Sequence, residues 1–499
     1  MVRARSRSCR GRPVSRSRRA WIIGTTAALL LSGCATPEAS TAQPATGSDA
    51  PAAGTVAPST SGEPQLAAAL RDELDPASML ADLDRLAAIT DEHGGTREAN
   101  SDGYAAAAQW VAGELRNAGY EVTLDAVSVP TFSEDEPAVL EILADGAPAL
   151  EGPRDVKAML LSPPGDVTGP VHALGFDPQA APGDRNGIGC DAGAWSDVPT
   201  GAIVLVQPGP CRNRTIVVHA QAAGAAAVIS SYPMWGPGQV RRPTLIDPAG
   251  LAIPAAATTR DAGLALADAA RTGREVHLRI STTTVMGQSD NVLAETPGGD
   301  ADHVVMLGAH LDSVIDGPGI NDNGTGVAVV LELARRLAAL TGGEPVWKVR
   351  VAFWTGEELG LWGSVSYAGA LSTQDRSSIA AYLNLDMIGT LGGVREVYDA
   401  TPFVNPASAA IERLFAQAFD ADELAWEPAD VGGASDHYQF DQLGVPVGGI
   451  VAERASGDPC YHLACDTTGN VDPDLLEQMA RAAAWAAGAL ASGSVGLTP

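Results

Sequence analysis

The hydrophobic pattern changes character twice along the chain. Over 76–90 apolar positions recur at helical spacing, and over Asp102–Ala118 Tyr104, Ala107, Ala108, Val111 and Leu115 fall on one helical face. Gly119 is placed to cap that helix, and Tyr120–Val129 alternates as a strand does. From about 131 to 287 short β-like runs are broken by Pro and Gly: Ala138–Leu143, Val171–Gly175 and Ala202–Pro208, then a helix over Ile216–Ala225 and a strand over Ala227–Ser231. The first character returns at Ser289. Strands are predicted over Asn291–Glu295, His303–Leu307, Trp347–Trp354, Ala380–Asp386 and Gly448–Val451, and helices over Gly326–Leu340, Pro406–Phe419 and Pro473–Gly488. Such alternation implies an α/β fold: a mostly parallel mixed sheet flanked by helices, discontinuous over 64–130 and 288–492, with a smaller α/β domain inserted over 131–287.

The N-terminus stands apart from this pattern. Residues 1–20 hold eight arginines and no acid, and the apolar run Trp21–Leu31 is shorter than the roughly 20 residues a spanning helix needs. Basic region, apolar region and small residues predict a signal peptide over 1–33. Leu31-Ser32-Gly33-Cys34 resembles a bacterial lipobox, which makes Cys34 the lipid-bearing residue of an exported protein held on the extracellular face of the cell membrane. Ser17-Arg18-Arg19 reads either as a loose twin-arginine signal or as an ordinary basic leader. Residues 34–63, rich in Ala, Thr, Ser and Pro, are expected to form a disordered tether.

Removing the leader with its eight arginines takes the formal charge from −28 to about −36. That charge excludes nucleic acid as a partner and repels anionic headgroups, so membrane contact is expected only through Cys34. Export permits disulfides. The simplest pairing is local, Cys190 with Cys211 and Cys460 with Cys465; free buried thiols are the alternative.

Candidate chemistry collects at predicted strand ends, where open α/β sheets place their sites. The strand 303–307 runs into His310-Leu311-Asp312; Asn321-Asp322-Asn323-Gly324 opens the next helix; Trp347–Trp354 leads to Glu357-Glu358; Ala380–Asp386 ends in Asp386; and Tyr461-His462 lies between Cys460 and Cys465. Each motif alone reads as a capped turn or a solvated pair. Together they offer an oxygen and nitrogen ligand set that suits zinc, cobalt or manganese, and burying those groups without a cation would be costly.

The set resembles the M28 metallopeptidases, close to the Streptomyces-type zinc aminopeptidases, and 131–287 resembles a protease-associated (PA) domain. The order and spacing carry the resemblance: 12 residues from His310 to Asp322, 36 on to Glu358, 28 to Asp386 and 76 to His462. It implies a zinc exopeptidase fold holding two zinc ions. Asp322 then bridges them, His310 and Asp386 complete one site, and Glu358 and His462 the other. Glu357 is the general base toward a metal-bound water, Asp312 orients the His310 ring through its carboxylate, and Tyr461 donates its hydroxyl to the developing oxyanion. The short Cys460–Cys465 loop would hold Tyr461 and His462 rigidly.

Substrates implied are peptides with a free N-terminus. The scarcity of cations near the motifs favours neutral or apolar N-terminal residues, with Phe440 a candidate for lining the side-chain pocket. Ser435-Asp436-His437 is adjacent in sequence, unsuited to a serine relay, and reads as a structural turn beside the active site. His93, His172, His219, His277 and His303 read as ordinary histidines, and Trp362 as core packing beside the site. Alternatives on the same scaffold are a carboxypeptidase or dipeptidase, for which Arg395, Arg413 and Arg454 are the available cations, and a one-zinc glutaminyl cyclotransferase. A non-catalytic binding lipoprotein is the reading from another class. No loop matching a calcium site is found, and a monomer is the expected assembly.

Overall fold

The computed structural model describes residues 65–181, 184–454 and 457–497. The expected leader over 1–33, the lipid site Cys34 and the tether over 34–63 lie outside these residues.

The described strands are β1 (Glu121–Ile142), β2 (Val156–Ala158), β3 (Gly165–Ala173), β4 (Ile203–Val206), β5 (Ala227–Ser231), β6 (Ala255–Thr258), β7 (Glu275–Glu295), β8 (Asp300–His310), β9 (Trp347–Trp354), β10 (Ile379–Leu385), β11 (Val394–Tyr398), β12 (Glu427–Ala429) and β13 (Val447–Glu453). They are ordered β12-β11-β13-β10-β8-β9-β7-β3-β4-β5-β6-β2, with β1 paired to β7. The run β13-β10-β8-β9 is parallel, bounded by antiparallel β11 on one side and β7 on the other. A second parallel group, β3-β4-β5-β6, carries antiparallel β2 at its edge. The mixed α/β architecture with a smaller α/β unit is thus as expected.

Period-two alternation decides which side of the central sheet each residue serves. Val305, Leu307 and Ala309 of β8, Val349, Val351 and Phe353 of β9, and Ala381, Leu383 and Leu385 of β10 enter the larger core. That core is closed by the helices Met79, Val111, Leu331, Phe415 and Met479 belong to. Met306, Ala352, Trp354 and Tyr382 face the other way, into a smaller cluster with Phe440 and Val447. Both faces are covered, which is why these strands read as nearly unbroken apolar runs.

Local signals set the helix ends. Ser101 accepts the Tyr104 N–H at the start of the helix Asp102–Asn117, and Gly119 follows it with φ +92°. Asp472 accepts from Asp474 and Leu475 ahead of Pro473, at the start of Pro473–Ala491.

The expected strands Tyr120–Val129 and Ala138–Leu143 are not separate: apart from their outer residues Tyr120 and Leu143 they form the one strand β1, paired with β7 from Glu121↔Glu295 to Ile142↔Val276. Pro137 falls where the register slips between Glu136 and Val139, so a proline that read as a strand breaker sits at a bulge. The β1–β7 ribbon joins the two parallel groups: β7 pairs β9 near its end and β3 near its beginning.

Candidate metal centre

Neighbouring parallel strands end together. His310 of β8 lies opposite Trp354 of β9, and Gly308 opposite Asn384 of β10. The chain therefore delivers His310 and Asp312, then Glu357 and Glu358, then Asp386 to one edge of the sheet. The segment after β13 brings His462 back to it.

The Asp322 carboxylate divides the cluster. Its Oδ1 lies 3.2 Å from His310 Nε2, and its Oδ2 lies 3.2 Å from His462 Nε2. On the first side His310 Nε2 is also 3.5 Å from Asp386 Oδ1 and 4.0 Å from Glu357 Oε2. On the second, His462 Nε2 is 2.9 Å from Glu358 Oε2. His310, Asp322 and Glu358 are 1%, 5% and 7% exposed, with one donor atom from each lying within 4.8 Å of the others.

Two observations test whether a cation fits here. Donors about 2.1 Å from one tetrahedral zinc stand roughly 3.4 Å apart; the first side of Asp322 has donors at 3.2 and 3.5 Å, and the second is tighter at 2.9 and 3.2 Å. In addition, Glu358 Oε1 and Asp386 Oδ1 are buried with no hydrogen-bond partner among the described residues. A buried carboxylate oxygen left so is costly, and a divalent ion satisfies it. The residues fit a metal.

The electrostatics agree. Burial pushes the Glu358 carboxyl up to about 7, with His462 opposing and Asp322 adding. Burial also holds Glu357 well above the usual carboxylate range, with His310 opposing and Glu358, Asp436 and Asp386 adding. Burial works against a charged His462, yet Glu358 and Asp322 lift it to about 10. Asp322 goes the other way: despite burial, hydrogen bonds from His310 and His462 hold it well below the usual range. Protons and a divalent cation compete for such an anionic donor set.

Supporting contacts differ from the sequence reading at Asp312. The ring Nδ1 of His310 meets the backbone carbonyl of Asp312 at 3.1 Å, while the carboxylate Oδ1 stands 3.7 Å away. The carboxylate instead accepts the N–H groups of Glu357 at 3.1 Å and Glu358 at 3.3 Å. Asp312 thus orients the histidine through its main chain and the two glutamates through its side chain.

Phe440 is also placed differently. It is fully buried and stacked on Tyr382 at 4.3 Å, in the smaller core cluster and not on a pocket wall. The Tyr461 ring stacks on His462 at 3.7 Å. The cysteines are bonded Cys190–Cys211 and Cys460–Cys465, the second bond spanning Tyr461 and His462.

Ser435-Asp436-His437, expected as a structural turn, lies beside the cluster, while other supporting residues had no signal in the sequence. Ser435 Oγ donates to Asp386 Oδ2 at 2.7 Å and accepts from Asn384 at 2.8 Å; Asn384 in turn accepts from Tyr382, whose hydroxyl accepts from Trp354. Asp436 takes the Ser364 hydroxyl at 2.5 Å, and His437 pairs with the Gly432 carbonyl at 3.0 Å, so the Ser-Asp-His run is split among three partners. The Asp466 carboxylate accepts the N–H groups of Asn321 and Asp322, both at 3.0 Å, and fixes the backbone under the bridging residue. Arg97, fully buried, donates to the carbonyls of Leu311, Pro318 and Gly319, bracketing the loop between Asp312 and Asp322.

The cluster opens into a cavity of about 950 Å³ with His310, Asp322, Glu357 and Asp386 on its floor. Met387, Val431, Val451, Met234, Trp235 and Arg241 line it, with Glu396, Glu453 and Arg454 also on the wall. Of the other cations weighed from sequence, Arg395 is tied to Gln478 and Arg413 is exposed on the helix Ser408–Ala421.

Residues 291–487 match the model of peptidase family M28, and 167–266 match that of the PA domain. An aminopeptidase of Pseudomonas aeruginosa is 33% identical over 81% of this chain and 78% of its own length. A probable lipoprotein aminopeptidase, LpqL, of Mycobacterium tuberculosis is 32% identical over 85% of this chain and 86% of its own. Among solved structures, the aminopeptidase from Aneurinibacillus sp. strain AM-1 shares the fold with a TM-score of 0.68 at 24% identity, covering 84% of this chain and 95% of that one. The chain belongs to peptidase family M28 and is a hydrolase, with a PA domain set into its peptidase fold.

Proposed function

We propose that this hydrolase is a two-zinc aminopeptidase that removes neutral or apolar residues from the free N-terminus of peptides. The observation that carries the reading is the division of Asp322: one carboxylate oxygen faces His310 and Asp386, the other His462 and Glu358. These five residues would hold the ions, which supply Lewis acidity toward the scissile carbonyl and lower the pKa of water.

The remaining work belongs to the protein. Glu357, kept at its place by the Asp312 carboxylate on its N–H, takes the proton of the attacking water and returns it to the leaving amine. Tyr461, stacked on His462 at the cavity wall, is placed to donate its hydroxyl to the developing oxyanion. Met387, Val431 and Val451 give an apolar seat for the departing residue's side chain, and the carboxylates at the floor favour a free ammonium group over a blocked one. The names of the Pseudomonas and Mycobacterium relatives support the aminopeptidase reading.

A matched panel of free and N-acetylated peptides tests this. Free leucyl and methionyl peptides are expected to be cut, their acetylated forms hardly at all. Equal rates on both forms would overturn the aminopeptidase assignment.

A further inference from the structure

One short segment of the PA domain touches three of the four loops that carry the proposed ligands. Arg241 Nε donates to the Tyr461 carbonyl at 2.6 Å and Nη2 to the Asp458 carbonyl at 2.9 Å, with the guanidinium 5.3 Å from the centre of the Tyr461 ring. Both carbonyls lie in the loop that presents His462. The next residue, Arg242, is 7% exposed and donates to Asp316 at 2.9 Å, to Glu134 at 2.6 Å and to the Ala158 carbonyl at 3.2 Å. Asp316, also held by Lys157 at 3.0 Å, sits between Asp312 and Asp322. Thr244 donates to the carbonyl of Leu359, directly after Glu358, at 3.0 Å, and the Ile246 carbonyl accepts from Trp362 at 3.1 Å.

A second observation shows why such a hold is needed. His462 has φ +58°, in the left-handed region that a residue with a side chain seldom occupies. A conformation of that kind persists only where the surroundings impose it. The Cys460–Cys465 bond constrains the loop from within, and Arg241 constrains it from outside.

We propose that Arg241–Ile246 is a strap by which the PA domain positions the metal centre, and that Arg241 is the positioning residue for His462. A planar guanidinium meets two carbonyls with one side chain, so it fixes the loop at a smaller loss of conformational freedom than a lysine would. Metal ligands have to be held within about 0.5 Å of their working positions, which a free loop does not achieve. The PA domain is on this account part of the active site. The inference rests on the metal centre proposed above.

The test is zinc affinity of the full chain, measured by chelator competition on wild type, R241A, R241K and R260A, alongside the melting temperature of each. R241A is expected to bind one of its two zinc ions about 10- to 100-fold more weakly, the loss usual for a partner that orients a ligand. R241K, whose single ammonium serves one carbonyl at a time, falls between R241A and wild type, and it carries the test if R241A does not fold. Arg260 holds the carbonyls of Ala180 at 2.9 Å and Pro178 at 3.0 Å within the PA domain, so R260A is the matched control and is expected to keep wild-type affinity. Wild-type zinc affinity in R241A and R241K, or an equal loss in R260A, would overturn the strap. Absence of zinc binding by wild type would overturn the metal centre itself.

Discussion

A carboxylate whose two oxygens serve different histidines does what no pair of separate ligands can: it sets the spacing of two sites with one rigid group. In the proposed centre Asp322 has that place, and its backbone is fixed by the Asp466 carboxylate through the N–H groups of Asn321 and Asp322. Next to it Glu357 and Glu358 are adjacent in sequence but divided in role, Glu358 toward His462 and Glu357 toward His310. Glu357→Gln preserves shape and removes the basic oxygen. Its kcat is expected to fall about 10²- to 10⁴-fold with zinc content and KM near wild type. Zinc loss with the same substitution would mean that the two glutamates exchange roles. The candidate ligands were legible because each lies in a short motif at a strand end, where the sequence itself marks the position. The partners of Asp312, Ser435 and Asp466 were not, because hydrogen bonds across 45, 49 and 144 residues leave no local pattern.

Among the elements, the strands of the central sheet were the easiest to read. Both faces are buried, so β8, β9 and β10 stand out as apolar runs, and the alternation that sends Met306 to one core and Leu307 to the other needs the structure to be seen. Gly308 shows how tightly the strand is packed behind His310: a Cβ there would meet the Tyr382 hydroxyl at 2.1 Å. The β1–β7 ribbon was half missed, since its acidic and proline-containing stretch carries little apolar alternation. The loop before the helix Asp102–Asn117 bears a pH-dependent element of its own. Glu98, beside the structural Arg97, is pushed by burial and then by Asp316 from 4.5 to about 7. Its folded-state pKa lies above its unfolded value, so the stability it contributes is whole below about 4.5 and lost as pH rises through about 7. Glu98→Gln has no such loss. The melting-temperature advantage of E98Q over wild type is expected to grow between pH 5 and pH 8; a constant difference would remove Glu98 from the account.

Across the whole molecule, the peptidase fold and the PA domain meet around one cavity, to which the first contributes Met387, Val431 and Val451 and the second Met234, Trp235 and Arg241. That meeting was not legible. The middle of the chain carries no cluster of catalytic type, and the value of Arg241 comes from carbonyls about 220 residues away. The N-terminal segment was legible only as a sequence. Among the described residues no helix is long and apolar enough to cross a membrane; the lipid at Cys34 is the anchor expected from the sequence. Wild type grown with labelled fatty acid is expected to carry the label and C34S none; equal labelling of the two, or no label in wild type, would rule out that anchor. Anomalous diffraction at the zinc edge, from crystals of the purified enzyme, decides whether the metal pair is present. Two peaks about 3.5–4 Å apart, one on each side of the Asp322 carboxylate, are the predicted result; a single peak, or none, would contradict it.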